Sequence, residues 1–172
     1  IYTLSLEERA TCPRSCPQWA SCYGNRQRFT IRVQADDDLI PRLAAELPVL
    51  LWRHGRVSIR LHQLGDFHSV AYARFWVDQV ERLPGLHLFG FTARPRTSPI
   101  GRLIDQASRE WDRVRIRFSN DNGPRSARAE DKPERGTHSG WTTCPAITGD
   151  ARKCESCGLC LALQSQITFG LH

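Results

Sequence analysis

Short apolar runs alternate with longer amphipathic stretches along this chain, and that alternation limits the folds open to it. Residues 1–6 (IYTLSL) alternate apolar and polar side chains as a half-buried strand does. Residues 57–62 (VSIRLH) put Val57, Ile59 and Leu61 on one face, and residues 87–92 (HLFGFT) and 114–119 (VRIRFS) repeat that length. Residues 28–33 (RFTIRV) and 167–171 (ITFGL) are expected to be further short strands. Strands that alternate with helices imply βαβ units and a parallel sheet. With roughly four to six strands, a closed eight-stranded barrel is not expected. The expected fold is therefore α/β: a partial (β/α) barrel or a curved open parallel sheet, with a C-terminal cysteine-rich metal-binding segment. Residues 1–143 would form the α/β domain, and residues 144–172 the metal-binding segment packed on it.

The helices have legible boundaries. Asp36, Asp37 and Asp38 offer caps and favourable charge to a first helix, in which Leu39, Leu43 and Leu47 share a face. Pro48 is expected to end or kink it, with a second piece running to about His54 and stopping at Gly55. Ser69 caps a second helix with the stripe Tyr72, Trp76, Val80 and Leu83, closed by Pro84-Gly85. Ser98-Pro99 opens a third, with Ile100, Leu103, Ile104, Ala107 and Trp111 at helical spacing. Residues 120–140 read as a long polar loop. In parallel sheets ligands sit at the C-terminal ends of the strands. The polar segments that follow the four strands, Cys12–Cys22, Gly65-Asp66-Phe67, Thr92-Ala93-Arg94 and Ser119-Asn120-Asp121, should thus share one rim.

The seven cysteines fall into two groups: Cys12, Cys16 and Cys22 near one end, and Cys144, Cys154, Cys157 and Cys160 near the other. Three plus four leaves an odd thiol in any disulfide scheme, but suits two metal sites. Three thiolates in one loop can hold three irons of a [4Fe–4S] cluster and leave the fourth iron open; a zinc site completed by histidine, or buried structural thiols, are the alternatives. The second group, Cys144-x9-Cys154-x2-Cys157-x2-Cys160, supplies four sulfurs and so a closed site, either an auxiliary [4Fe–4S] cluster or structural zinc. Both readings need a reducing compartment, which points to the cytoplasm.

In that arrangement the chain resembles the radical S-adenosylmethionine (SAM) superfamily over about residues 1–120. The resemblance rests on the three-cysteine loop after the first strand, the Gly65-Asp66 turn after the second, and the βα order. It is closest to small phage- and prophage-associated radical-SAM-like proteins of unassigned function, which share the Cys22-Tyr23 ending of the loop, the Gly65-Asp66-Phe67 turn and a C-terminal cysteine cluster. The resemblance implies that Cys12, Cys16 and Cys22 hold the cluster and that SAM chelates its open iron. It also implies that Gly65 and Asp66 meet the SAM amino group, and that Ser119 and Asn120 sit where polar groups meet the ribose or carboxylate. Here the spacing is Cys-x3-Cys-x5-Cys; the family's common spacing is Cys-x3-Cys-x2-Cys, with an aromatic residue before the last cysteine. Tyr23 instead follows it.

At 172 residues the chain suffices for one domain, and it holds no run of about 18 apolar residues that would cross a membrane. It begins at Ile1 without a signal peptide and contains no Met, so trimming from a longer product is expected. The formal charge is +6, carried almost wholly by arginine, since Lys132 and Lys153 are the only lysines. A basic surface admits a nucleic-acid partner as well as mere solvation. Arg94 and Arg96 are candidates for binding carboxylate or phosphate, His68 for facing a substrate, His62 for a structural role, and Trp19 and Trp141 for shielding the metal sites.

Three functions follow. The first is an iron–sulfur enzyme that cleaves SAM reductively to a 5′-deoxyadenosyl radical acting on an unknown substrate, with an electron donor as partner. The second is a metal-stabilised nucleic-acid-binding protein without catalysis. The third is an iron–sulfur redox carrier or sensor.

Overall fold

The computed structural model describes residues 1–119, 121–151, 157–161 and 166–170. Its strands are β1 (Tyr2–Leu4), β2 (Val57–Leu61), β3 (Leu86–Thr92), β4 (Val114–Ser119), β5 (Ser126–Glu130), β6 (Thr137–His138), β7 (Trp141–Thr143) and β8 (Gln166–Gly170). Its helices are α1 (Glu8–Thr11), α2 (Leu39–His54), α3 (Val70–Arg82), α4 (Pro99–Glu110) and α5 (Pro145–Thr148), with 3₁₀ turns at Tyr23–Arg26 and Leu159–Leu161. The strands form one sheet in the order β1-β2-β3-β4-β5-β8-β7-β6. Every pairing is parallel except β6 with β7. The chain is an α/β protein with an eight-stranded, mostly parallel, open sheet.

The first five strands lie side by side in chain order, and this positions everything else. Parallel crossovers are right-handed, so an order without reversal carries every crossover helix to the same face. α2, α3 and α4 accordingly share one core with that face: Leu39 and Leu47, Tyr72 and Trp76, and Ile104 and Ala107 pack with Val57, Ile59, Leu61, Leu86, Leu88, Val114, Ile116 and Phe118. Each large apolar side chain fully buried in this way contributes about 1.5–3 kcal/mol. By strand alternation the opposite face carries Arg60, Phe89, Phe91, Arg115, Arg117, Ser119, Ala127, Ile167 and Phe169. Phe91 of β3 and Phe169 of β8 meet edge to face there, with ring centroids 5.0 Å apart. Three strand spacings separate β3 from β8, about 14 Å along a flat sheet, and side chains stand roughly perpendicular to it. The contact requires the sheet to bend toward its helix-free face.

The helix boundaries follow local chemistry. The Ser69 and Ser98 hydroxyls cap α3 and α4, accepting from the Tyr72 and Gly101 amides at 3.1 and 3.0 Å. Gly55 ends α2 with φ +67°, its amide donating to the Leu51 carbonyl. Asp38, at the start of α2, makes no side-chain cap; Asp36 pairs with Arg42 instead. Pro48 does not break α2, which runs through it. Ala44 and Pro48 both lie on the exposed side, so the carbonyl that loses its intrahelical partner faces water.

Two other expectations are corrected. Residues 28–33 are not a strand; they turn, and only the single bridge Leu6–Val33 joins them to the sheet's first segment. Residues 120–140 are not one loop, since β5 and β6 fall within them. Ala127 and Ala129 face inward from β5, and alanines give too weak an apolar alternation to announce a strand. At the C-terminus the expected last strand is present as β8, set between β5 and β7. No helix among the described residues is long and apolar enough to cross a membrane.

Candidate functional site

Three segments converge beyond the C-terminal ends of β1, β2 and β3. The first begins with α1, whose last residue, Thr11, is 1% exposed and precedes Cys12. The second is the turn Leu64-Gly65-Asp66-Phe67 after β2, tied to the first by the Leu6 amide, which donates to the Leu64 carbonyl at 2.9 Å. Gly65 has φ +85°, and a Cβ there would lie 2.7 Å from both Leu6 Cβ and Thr11 Oγ1. Only glycine meets both demands, so the Cys12 segment and the Gly65 turn press together at this point.

Asp66 joins all three segments. Its amide donates to Thr11 Oγ1 at 3.2 Å. Its Oδ1 accepts from the Phe67 amide and the Thr92 hydroxyl, both at 2.7 Å, and its Oδ2 from the Ala93 amide at 2.8 Å. Arg94 braces the same joint, donating from Nε to the Phe67 carbonyl at 2.8 Å and from Nη2 to the Thr11 carbonyl at 2.7 Å. Burial raises the Asp66 pKa to about 6, against the pull of these hydrogen bonds and of Arg94. The carboxylate is 2% exposed, so its first task is to hold the rim together. Arg94 is engaged likewise. Arg96 is bound to Asp105, Asp121 and the Pro124 carbonyl, with Phe118 beneath it. Both arginines have internal partners.

Cys12, Cys16 and Cys22 are all free thiols and half-buried. The loop between them is built of tight turns: the Cys16 amide donates to the Pro13 carbonyl, Trp19 to Cys16, and Asn25 to Cys22, each at 2.9–3.0 Å. Burial above all, then the negative charges of Asp66, Cys16 and Cys22, push the Cys12 thiol up to about 12. Cys16 is raised too, chiefly by burial, with Asp66 and Cys22 adding to it. The neighbouring sulfurs thus disfavour ionisation of Cys12 and Cys16, which a cationic centre would reverse. Downstream, the Tyr23 hydroxyl donates to the Gln63 carbonyl. Arg32 grips Glu8 with two nitrogens at 2.8 and 3.1 Å, holding the Glu8 pKa below its usual value. The aromatic residue after the last cysteine therefore fastens the loop to β2.

The second group lies elsewhere. Cys144 follows β7, its amide donating to the Thr168 carbonyl at 2.9 Å. Cys144, Cys157 and Cys160 line one pocket with Ile1, Phe89 and Leu159. Arg117, 1% exposed on the helix-free face, donates to the Cys160 carbonyl at 2.7 Å and sits in the field of the Cys160 sulfur. Among the described residues no three His, Cys, Asp or Glu side chains are gathered closely enough for one metal ion. Tetrahedral thiolates on a single zinc stand only about 4 Å apart, whereas each thiolate of a cluster binds its own iron.

No protein family, curated protein or solved structure matches this chain.

Of the other residues singled out in the sequence, Ser119 ends β4 on the helix-free face, whereas Asn120 and Cys154 lie outside the described residues. His68 stacks on Tyr72, centroids 4.6 Å apart. His62 shares a 2.9 Å hydrogen bond with the Tyr72 hydroxyl. Trp141 packs beneath the Arg128 guanidinium, and Trp19 beside those of Arg9 and Arg14. The sequence placed Thr92 on this rim but not its bond to Asp66, and it missed Thr11; the two threonines carry the joint with Asp66. Their signal is a hydroxyl where an apolar residue would be expected, at the end of a buried run.

His62 and Asp66 give opposite pH responses. Burial lowers the His62 pKa from 6.5 to about 3, so acidification below 6.5 protonates the unfolded chain first and destabilises the fold by up to about 1.4 kcal/mol per pH unit. Asp66, raised from 3.8 to about 6, takes its proton in the folded state first, so the same acidification below 6 stabilises. The two slopes oppose each other between about pH 6 and 4. In urea unfolding across this range, Asp66→Asn is expected to lose stability steadily on acidification, and His62→Gln to gain it. Parallel profiles in the two variants would contradict these assignments.

Proposed function

We propose that this chain is an iron–sulfur enzyme of the radical-SAM type, acting in the reducing cytoplasm on an unknown substrate. The observation that carries the reading is the placement of Cys12, Cys16 and Cys22 on a loop at the C-terminal end of β1, pressed against the Gly65–Asp66 turn after β2. The open, bent sheet with all crossover helices on one face is read as a partial (β/α) barrel. The donor set suits a cluster: one loop supplies three half-buried free thiols, one for each of three irons.

In this reading Cys12, Cys16 and Cys22 would hold a [4Fe–4S] cluster that leaves a position open for SAM. Such a cluster would supply the one-electron reduction of SAM, drawn from an external donor, that would yield methionine and a 5′-deoxyadenosyl radical to act on the substrate. The protein's part is to position. Asp66 and Arg94 fix the three rim turns, Gly65 allows the close approach, and Ser119 and Asn120 stand for contacts to the ribose or carboxylate. Cys144, Cys154, Cys157 and Cys160 form a closed second site, a [4Fe–4S] cluster or zinc, with Arg117 as a buried positive charge beside it.

Protein purified without oxygen is expected to be brown, to hold about eight irons per chain if both sites carry [4Fe–4S] clusters, and to cleave SAM when reduced. Mössbauer or electron paramagnetic resonance spectra should change on SAM addition. Colourless protein carrying only zinc would refute the reading.

A further inference from the structure

Residues 9–35 contain five arginines, Arg9, Arg14, Arg26, Arg28 and Arg32, and no aspartate or glutamate. This stretch, here called the collar, follows β1 and carries the three cysteines. Arg32 is bound to Glu8. Arg9 and Arg14 lie 4.7 and 5.6 Å from the Trp19 ring centroid, and Arg9 also donates to the Trp19 carbonyl and to Asn25 Oδ1. Arg14, Arg26 and Arg28 are exposed, and among the described residues no side-chain hydrogen bond or ion pair engages them. Between these groups the loop pushes its apolar side chains outward: Phe29 is 100% exposed and Ile31 85%.

Exposed guanidinium groups on the same loop as a bare phenyl ring are two halves of one recognition mode. Arginine matches phosphate with a planar fork. An exposed ring offers a stacking platform to any unpaired base, whereas the bases of a duplex are already stacked on one another. Phe29 and Ile31 alone make a small apolar patch in an arginine-rich stretch, a poor core for a protein interface. We propose that the collar binds single-stranded nucleic acid, with Arg14, Arg26 and Arg28 on phosphates and Phe29 against a base, so that the strand lies across the first cysteine loop. Binding requires no metal; only the identification of the strand as substrate rests on the function proposed above.

The test is fluorescence anisotropy of the full chain with a labelled oligothymidylate that spans a site of roughly 4–16 nucleotides. The single strand should bind more tightly than a duplex of equal length. With three phosphate contacts, the logarithm of the affinity should fall with the logarithm of salt at a slope of about −2. Phe29→Ala is expected to weaken binding roughly 5- to 150-fold, and Arg26→Ala with Arg28→Ala to make the slope shallower by about 1.4. Because Phe29 is wholly exposed, its replacement should leave the melting temperature unchanged. Trp52→Ala, 85% exposed near the end of α2 and so at the opposite rim, should leave the affinity unchanged. Absent or salt-independent binding overturns the proposal, as does equal binding by Phe29→Ala. Self-association that Phe29→Ala abolishes, without oligonucleotide binding, would instead make the patch a protein contact. Iron content and SAM cleavage, read on the same samples, separate the two claims: iron-free protein that binds the strand keeps this one and removes the enzyme, and SAM-cleaving protein that ignores the strand does the reverse.

Discussion

Cys16→Ala is expected to hold about half the iron of the parent when both are purified without oxygen, and to lose SAM cleavage entirely. Its sulfur is one of three in the first loop, and a cubane with two protein ligands and two open irons is poorly held. The four sulfurs of the second group are untouched. The substitution spares the loop's backbone, because the turns at Cys16 run through its amide and carbonyl to Pro13 and Trp19. The melting temperature of the metal-free variant should therefore stay near that of the metal-free parent. Removing a neighbouring thiol also lifts one of the negative charges that raise Cys12, so the Cys12 thiol of the variant should react with an alkylating reagent at lower pH. Iron and absorbance measure the first outcome, and the pH dependence of alkylation the second. Loss of all iron would mean that the two cysteine groups share one centre.

Gly65→Ala is expected to cost about 2–5 kcal/mol, from about 1–2 kcal/mol for a left-handed conformation and about 1–3 kcal/mol for overpacking. A small domain has only about 5–15 kcal/mol in total, so this is a large share. The new methyl group would meet Leu6 Cβ and Thr11 Oγ1 at 2.7 Å and the Leu6 carbonyl at 3.0 Å, and the backbone cannot yield without parting the cysteine segment from the Asp66 turn. Gly55 provides the comparison. Its φ is also positive, +67°, but a Cβ there has nothing within 4 Å. Gly55→Ala should therefore show a conformational cost without a clash, and a larger loss at Gly65 would report the packing. Equal losses would mean that the rim can open to admit the methyl group.

The sequence made the scaffold legible where side-chain period and length agreed. Val57, Ile59 and Leu61 alternate onto the helix face as read, and Ser69 and Ser98 cap the helices they precede. It misled where a local rule met a tertiary circumstance. The RFTIRV run at residues 28–33 has a strand's alternation, but Arg32 turns back to Glu8 and Phe29 faces solvent, so there is no sheet face for the apolar side chains to bury. Pro48 breaks no helix because the Ala44 carbonyl that it leaves unpaired can reach water. In the site, the grouping of Cys12–Cys22 with Gly65 and Asp66 could be expected from strand order, since loops at the same ends of parallel strands converge. The manner of their joining could not. Whether Asp66 would point at a ligand or at the Ala93 amide depends on how closely β2 and β3 bring their turns together, and no periodicity encodes that.

The consecutive strand order also bears on the time course of synthesis. Every bond that seats the first cysteine loop, from Leu6 with Leu64 to Thr11 with Arg94, is made within the first 94 residues. Chains fold from the N-terminus as they are made. That loop can be seated while Cys144 and all that follows it are still to be translated, so under the proposed function the two sets of thiols would meet metal in succession, the rim set first.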